Sequence, residues 1–429
     1  MGHLAGCFGR VEPRRQARKY VAGLLSDLPR KNCWTLAEHV GDRTPDRMQR
    51  LLERASWNAL AAMRVVRDFV VTGLGGADAV LVLDESGQEK KGEATAGVKR
   101  QYVGCAGQVA NALNVVYASY ATPRGHALVG ARLYLPAEWV AHAGRRRAAG
   151  VPDSVGFATK PALAVQLINE LADDDALPPW LTGDEVYGRD PGLRGCCEAR
   201  GVGYVLGIPC PFRVTLPCRR SVRADRAAAL APARAWTTVS CGAGSKGDRD
   251  YAWAWLATAS DRHHLLIRRN LNDPRDLAFF YCHVPAGRPV TLTILVRVAG
   301  RRWPVEEDFQ VGKSHLGLAD SQVRSYTALH RHLALAMAAE ATCAVTAADA
   351  RTRAAALPPA PTRPDDEPPA EPGLIPFTVA EVKRLFGLLT RTWHTTRHHL
   401  HWSRWRRRHQ ARARWFHHRA RLRRQAAPP

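Results

Sequence analysis

The sequence predicts an α/β protein: a mixed β-sheet with helical layers, preceded by a helical N-terminal segment and followed by a basic helical tail. Two observations carry this. The continuous apolar run Ala79 to Leu83 reads as a buried central strand. Behind it the chain runs as three strands, helix, strand, helix, strand, an order that builds a mixed sheet covered by helices.

The elements follow in order. Residues 1–75 read as helical. Arg14, Arg15, Arg18 and Lys19 precede the apolar Tyr20, Val21, Leu24 and Leu25. Thr44-Pro45-Asp46 is a helix start, with Thr as cap, Pro at the first helical position and an early acid. Met48, Leu51 and Leu52 recur at helical spacing, as do Leu60, Met63, Val66 and Val70. Short helices with interspersed arginines suit a helix-turn-helix-like DNA-binding unit or, equally, a plain bundle with a solvated basic face.

In residues 76–210 the first strand ends at Asp84. Asn114 to Tyr120 and His126 to Leu135 are two further strands around the turn signal Pro123-Arg124-Gly125. Pro161 to Ala172 is an amphipathic helix with Leu163, Leu167, Ile168 and Leu171 on one face. Trp180 to Gly183 is a fourth strand delivering Asp184, Arg189 to Arg200 a helix, and Tyr204 to Ile208 a fifth strand. Residues 211–300 are rich in strands and turns (Tyr251 to Ala257, Leu265 to Ile267, Leu277 to His283, Thr291 to Val298) and read as a β-rich insertion rather than a continuation of the sheet. Residues 301–350 return to helix, over Pro304 to Leu316 and Tyr326 to Ala347. Residues 351–376 are a semi-rigid Pro-rich linker carrying Pro358, Pro359, Pro361, Pro364, Pro368, Pro369 and Pro372.

Composition narrows the function. The 429 residues hold 62 Lys+Arg against 39 Asp+Glu, a net charge of +23, with 46% hydrophobic residues. That is a globular chain with a polyanionic partner, nucleic acid first and an anionic membrane surface second. No long apolar stretch precedes the first arginines, so no signal peptide is expected. Leu333 to Ala348 is interrupted by Glu340 and reads as a buried core helix rather than a membrane span. Ten cysteines without CxxC spacing signal neither a zinc site nor a disulfide framework, which fits reduced thiols in the cytoplasm.

The tail, residues 377–429, is the most basic part. Arg391 to Arg424 contains twelve arginines, with Arg404, Arg406, Arg407 and Arg408 at its densest, and Trp393, Trp402, Trp405 and Trp415 among them. Arginine interleaved with tryptophan suits phosphate contacts plus base stacking, and four exposed indoles without a partner would be a liability. His394, His398, His399 and His401 have no Cys or acid beside them and read as conditional positive charge rather than a metal site.

Three acids fall at ends of elements: Asp84, Asp184 and Glu306, the last in the first turn of the helix that begins at Pro304. If the first and fourth strands are neighbours, Asp84 and Asp184 lie side by side and need a cation between them. Hard oxygen donors at an open site favour Mg²⁺ or Mn²⁺, ions that activate water or a 3′-hydroxyl and stabilise the leaving oxygen of a phosphodiester. Arg302 and Lys313 flank Glu306, with Lys313 two turns on along the same face, whereas Glu307 points about 100° away.

Long stretches around these acids carry a resemblance: LDESGQEKKGEATAGVKRQYVGCAGQVANALNVVYASY at 83–120, PRGHALVGARLYLP at 123–136, FATKPALA at 157–164, GDEVYGRDP at 183–191 and RRWPVEEDFQVGKSHLGL at 301–318. Over most of its length the chain resembles bacterial insertion-sequence transposases with a DDE triad, of the seven-hundred-one branch. The resemblance implies an RNase H-like catalytic core in two parts, 76–210 and 301–350, interrupted by the β-rich insertion. It places the catalytic, metal-holding acids on Asp84, Asp184 and Glu306. Of the related Tyr-x2-Arg-x3-Glu-x6-Lys signature, Arg302, Glu306 and Lys313 fit, while position 299 is Ala. Lys90, Lys91, Arg100, Tyr187 and Arg189, beside the acids, either grip DNA or are structural. The implied activity is cut-and-paste transposition, in which activated water nicks the element's ends and the freed 3′-hydroxyl attacks target DNA. It implies terminal inverted repeats and target DNA as partners, the N-terminal helices as readers of the repeats, at least two subunits in the synaptic complex, and no membrane partner. The rivals are a relic that binds without cutting and a nuclease of the same fold that never joins strands.

Overall fold

The computed structural model describes residues 2–104, 107–244, 247–353, 363, 365–367 and 374–425. The seven linker prolines all lie outside the described residues.

Four N-terminal helices come first: α1 (Val11–Leu25), α2 (Cys33–His39), α3 (Asp46–Glu53) and α4 (Ala59–Leu74). Asn32 and Asn58 cap α2 and α4 through their side-chain oxygens. The start of α3 differs from expectation by one position: Pro45 is the cap, and the Thr44 hydroxyl donates to the Asp46 carboxylate instead of capping a backbone N–H. These helices pack on one another and on the sheet in a single core. Tyr20, Leu51, Met63 and Val70 belong to the same core as the sheet.

The sheet begins with β1 (Val80–Glu89), β2 (Lys99–Val103), β3 (Gln108–Thr122) and β4 (Gly125–Tyr134). The long β3 pairs with β1 along one edge and with β4 and β2 along the other, all antiparallel. Short helices α5 (Ala137–Ala141) and α6 (Ala143–Ala148) lead to α7 (Lys160–Asp173), which buries Leu163, Leu167, Ile168 and Leu171 as expected. Then come β5 (Trp180–Gly183), α8 (Glu185–Gly188), α9 (Pro191–Ala199) and β6 (Gly203–Ile208), with β5 parallel to both β1 and β6. Parallel pairs need a crossover connection, and α7 and α9 supply them.

The next part corrects the sequence reading. A small hairpin, β7 (Arg213–Thr215) and β8 (Ser221–Arg223), and α10 (Ala224–Ala229) precede β9 (Trp236–Gly244), β10 (Gly247–Ala257), β11 (His263–Arg269) and β12 (Leu277–His283). The segment is β-rich, but it is not set apart from the sheet. β12 pairs with β6, and the strands continue in the order β2-β3-β1-β5-β6-β12-β11-β10-β9. Thr291 to Val298 is not a strand. It forms α11 (Leu292–Gly300), capped by the Thr291 hydroxyl, because Leu295, Val296, Val298 and Ala299 bury one helical face against Trp180, Trp253 and Phe280. Tertiary burial overrides the β-branched composition there.

The chain closes with α12 (Pro304–His315), α13 (Tyr326–Arg351), α14 (Val379–Leu389) and α15 (Thr396–Gln425). α13 is the central core helix, long and apolar enough to cross a membrane yet mostly buried inside the fold. Two ties fix the N-terminal helices to it. Tyr20 Oη lies 2.9 Å from His332 Nδ1, and the Arg331 guanidinium donates to the carbonyls of Leu52 and Trp57 at 2.9 and 2.8 Å.

Candidate active site

The register of β1 against β5 runs from Val80 opposite Trp180 to Leu83 opposite Gly183. The next residue on each strand is an aspartate, Asp84 and Asp184. β5 stops there because Asp184 turns its Oδ1 onto the N–H of Val186, at 2.8 Å, and so caps α8. β1 does not stop, contrary to the reading from sequence: it continues to Glu89, paired with β3 throughout. Asp84 therefore sits in mid-strand, at the point where its parallel neighbour leaves. The chain order places the two acids 100 residues apart; strand pairing makes them adjacent.

Their electrostatics follow from that placement. Asp84 is 8% exposed, and its Oδ1 accepts from the N–H of Glu85 at 2.7 Å. Burial pushes its carboxyl up to about 7; Arg302, with Nη2 4.0 Å from Oδ2, pulls the other way, while Asp184 and Glu85 add to the rise. The Asp184 carboxyl is also raised, by burial first and then by Glu85. A pair of carboxyls this poorly solvated, with one guanidinium at the edge of contact, is a donor set that fits a hard divalent cation.

Glu85 is a participant that the sequence reading passed over. Tyr187 donates its hydroxyl to Glu85 Oε2 at 2.9 Å, and Lys160 at the start of α7 pairs with Oε1. This clamp joins β1, α7 and α8, and Tyr187 is fully buried within it. Gly188 lets α8 close onto β6: a methyl group there would lie 1.9 Å from the carbonyl oxygen of Gly207. The available signal was a second acid directly after Asp84, with a lysine in FATKPALA to answer it.

Pro304 opens α12 as expected, and Val305, Asp308, Phe309 and Gly312 form its buried face. Glu306 and Gln310 lie on the exposed flank, with half-buried Lys313 continuing the row, and Arg302 precedes the helix. Glu307 turns to His126 instead, with its Oε2 3.3 Å from Nε2. The expected convergence is thus met for two acids and not for the third. Among the described residues no group of three or more His, Cys, Asp and Glu side chains is disposed to hold a metal ion. The charges acting on Asp84 are Arg302, Asp184 and Glu85, and those acting on Asp184 are Glu85 and Arg302.

The remaining basic residues divide. Lys90, half-buried, donates to the carbonyl of Ser321 at 2.7 Å, and burial lowers its amine to about 8. Arg189 pairs with Glu185 one turn earlier at 3.0 Å, on the surface. Lys91 and Arg100 are exposed, the latter on the edge strand β2.

In the tail the expectation of four exposed indoles is corrected. Trp402 is fully buried and donates to the carbonyl of Asp42 at 3.0 Å. Trp405 packs edge-on against Trp34, 4.8 Å between rings. His394, His398 and His401 contact the carbonyls of His39, Glu38 and Arg43 at 2.8, 2.9 and 2.7 Å, and Arg406 pairs with Glu38. His394, just before α15, and the first half of that helix thus form a docking surface that satisfies carbonyls at and beyond the C-terminal end of α2. Arg404, Arg407 and Arg408 remain exposed, and from Gln410 onward the helix is exposed almost throughout, with Trp415 at 57%. Trp393, at 83%, is the other exposed indole of the four.

The family profile of the DDE superfamily endonucleases matches residues 3–263. The chain belongs to this family. Asp84 and Asp184 lie inside the matched region and Glu306 beyond it. A probable transposase for insertion sequence element IS701 from Microchaete diplosiphon is 29% identical over 196 residues, 45% of this chain and 48% of that protein. The match therefore spans about half the length of that relative. An endonuclease superfamily with an α/β fold accounts for the mixed sheet and for acids gathered at the end of a parallel strand pair.

Proposed function

We propose that this DDE endonuclease is an insertion-sequence transposase, cleaving DNA at the element's ends and joining the freed 3′ end to target DNA. The observation that carries the reading is the adjacency of buried Asp84 and half-buried Asp184, one residue beyond the last register pair of β1 and β5, with the Arg302 guanidinium beside Asp84. The similarity to a probable transposase supports it.

Asp84, Asp184 and Glu306 are the residues that would hold Mg²⁺ or Mn²⁺. Such an ion, once bound, supplies activation of water or a 3′-hydroxyl and stabilisation of the leaving oxygen. Glu306 is the member that must move to join the other two. Arg302 orients a phosphate: its Nε is buried without a hydrogen-bond partner, so the guanidinium keeps donor capacity beside the acids. Lys313 adds charge two turns along α12 from Glu306.

DNA affinity comes from two further surfaces. Arg47, Arg50 and Arg54 are exposed at three- and four-residue spacing along and just beyond α3, a row suited to a duplex. The projecting part of α15 carries Arg412, Arg414, Arg419, Arg421 and Arg423 with no acid, and Arg404, Arg407 and Arg408 continue it toward the docked half. Bringing two element ends together requires at least two subunits.

The test is the purified chain with Mg²⁺, a duplex carrying the element's end, and a supercoiled target. Nicked ends followed by joined products are expected. Hydrolysis without joining would make the chain a nuclease, and binding without nicking would make it a DNA-binding relic.

A further inference from the structure

Beneath α12, on the side away from Glu306, lies a buried polar cluster that the proposed chemistry does not use. His126, at the start of β4, has Nδ1 2.6 Å from Asp308 Oδ1 and Nε2 3.3 Å from Glu307 Oε2. Asp308 is 3% exposed, and its second oxygen accepts from the Ser119 hydroxyl, at the irregularity where β3 changes register against β4. Glu340 of α13, also buried, stands next to Asp308. Elsewhere on α12 the inward face is apolar, through Val305 and Phe309. A carboxylate on that face is costly to bury unless it is paired.

The geometry fixes the helix in a particular way. Glu307 and Asp308 are consecutive, so their side chains leave α12 about 100° apart. One imidazole engages both. A helix held at one point can rotate about its axis, whereas a helix held at two adjacent angular positions by one rigid ring cannot. Ser119 holds the same acid from the neighbouring strand. With Asp308 pinned against β3 and β4, Glu306, two residues earlier, is turned about 200° away, onto the flank that follows Arg302.

We propose that His126 is a positioning residue for Glu306: by clamping Glu307 and Asp308 it sets the rotation of α12, and so the direction from which Glu306 approaches Asp84 and Asp184. This rests on the reading of Glu306 as a metal ligand. His126 itself touches neither DNA nor the aspartates. Groups that orient a metal ligand from behind commonly cost about 10- to 100-fold in metal affinity when removed.

The test is Mn²⁺ binding to the full chain, followed by electron paramagnetic resonance of the free ion, for the wild type, His126→Ala, Glu306→Gln and the double variant. Expected are binding about tenfold or more weaker in each single variant and no further weakening in the double, because both changes remove the same contribution. His126→Gln, which keeps a donor at the ring's outer position, should recover part of the affinity, and it serves as the readout if the alanine variant does not fold. If His126→Ala weakens binding by the same factor in the wild type and in the Glu306→Gln variant, the histidine only supports the fold, and the proposal is overturned. Unchanged Mn²⁺ binding in Glu306→Gln would overturn the ligand reading itself, and the proposal with it.

Discussion

Asp84 and Asp184 occupy the first positions beyond Leu83 and Gly183, the last register pair of two parallel strands, and burial, with Asp184 and Glu85 adding to it, holds the Asp84 carboxyl up at about 7. This has a consequence for stability without metal. The unfolded chain ionises this group near its ordinary 3.8, while the folded chain resists ionisation until about 7. Wild-type stability should therefore fall as pH rises from 4 to 7 and level off above that. Asp84→Asn removes the effect. In chelator, urea unfolding should find the variant more stable than wild type at pH 8, by about 4 kcal/mol, and no more stable at pH 4. Added Mg²⁺ should close the gap at pH 8. Equal stability of the two proteins at pH 8 in chelator would show that the fold tolerates the ionised pair without help.

Arg302 acts on the same pair from the other side. Its guanidinium is 4.0 Å from Asp84 and partly exposed, so its contribution to folding should be small, about 0.5–1 kcal/mol for Arg302→Gln. If it orients a phosphate as proposed, its contribution to cleavage should be larger, about 10²-fold or more in rate. A loss of rate no greater than the loss of stability accounts for would remove Arg302 from the site.

The two ends of α15 should respond oppositely to substitution. Trp402→Ala removes a buried indole and its hydrogen bond to Asp42, at a cost of about 3–5 kcal/mol. That cost should appear as release of α15 from α2 and as proteolysis within residues 390–410. Trp415→Ala, on the projecting half, should leave the melting temperature unchanged and weaken DNA binding. If both variants melt like wild type, the docking does not stabilise the fold.

Deleting residues 410–429 should leave the fold intact and flatten the salt dependence of DNA binding. Each phosphate that is no longer neutralised lowers the slope of log K against log salt by about 0.9. Titrations at several salt concentrations would read this directly, and an unchanged slope would mean that the projecting helix does not touch DNA.

Much of the fold could be read from local pattern, and the failures have physical causes. The run Ala79 to Leu83, the helix at Pro161 and the start of α12 at Pro304 are local signals, and each is where it was expected. The extension of β1 through Glu85 to Glu89 was hidden because its inward residues, Ser86 and Gln88, are polar; Gln88 is accommodated by donating to the carbonyl of Leu318, 230 residues away. The pairing of β12 with β6 is likewise a long-range contact with no local trace. In the tail a signal was present and unused. His398, Trp402, Trp405 and His409 recur every three to four residues, which marks one helix face, and that face is the docked one. His126 and Asp308 were also visible as a polar residue opening a buried strand and an acid on a buried helix face. Only the fold shows that they answer each other.

The most direct measurement of the central claim is Mg²⁺-dependent nicking of an end-containing duplex by wild type, Asp84→Asn, Asp184→Asn and Glu306→Gln, each compared at equal DNA occupancy. All three variants should bind the duplex as wild type does, and none of them should nick it. Nicking by any of the three at the wild-type rate, or loss of nicking in Glu307→Gln with Glu306→Gln unaffected, would contradict that claim.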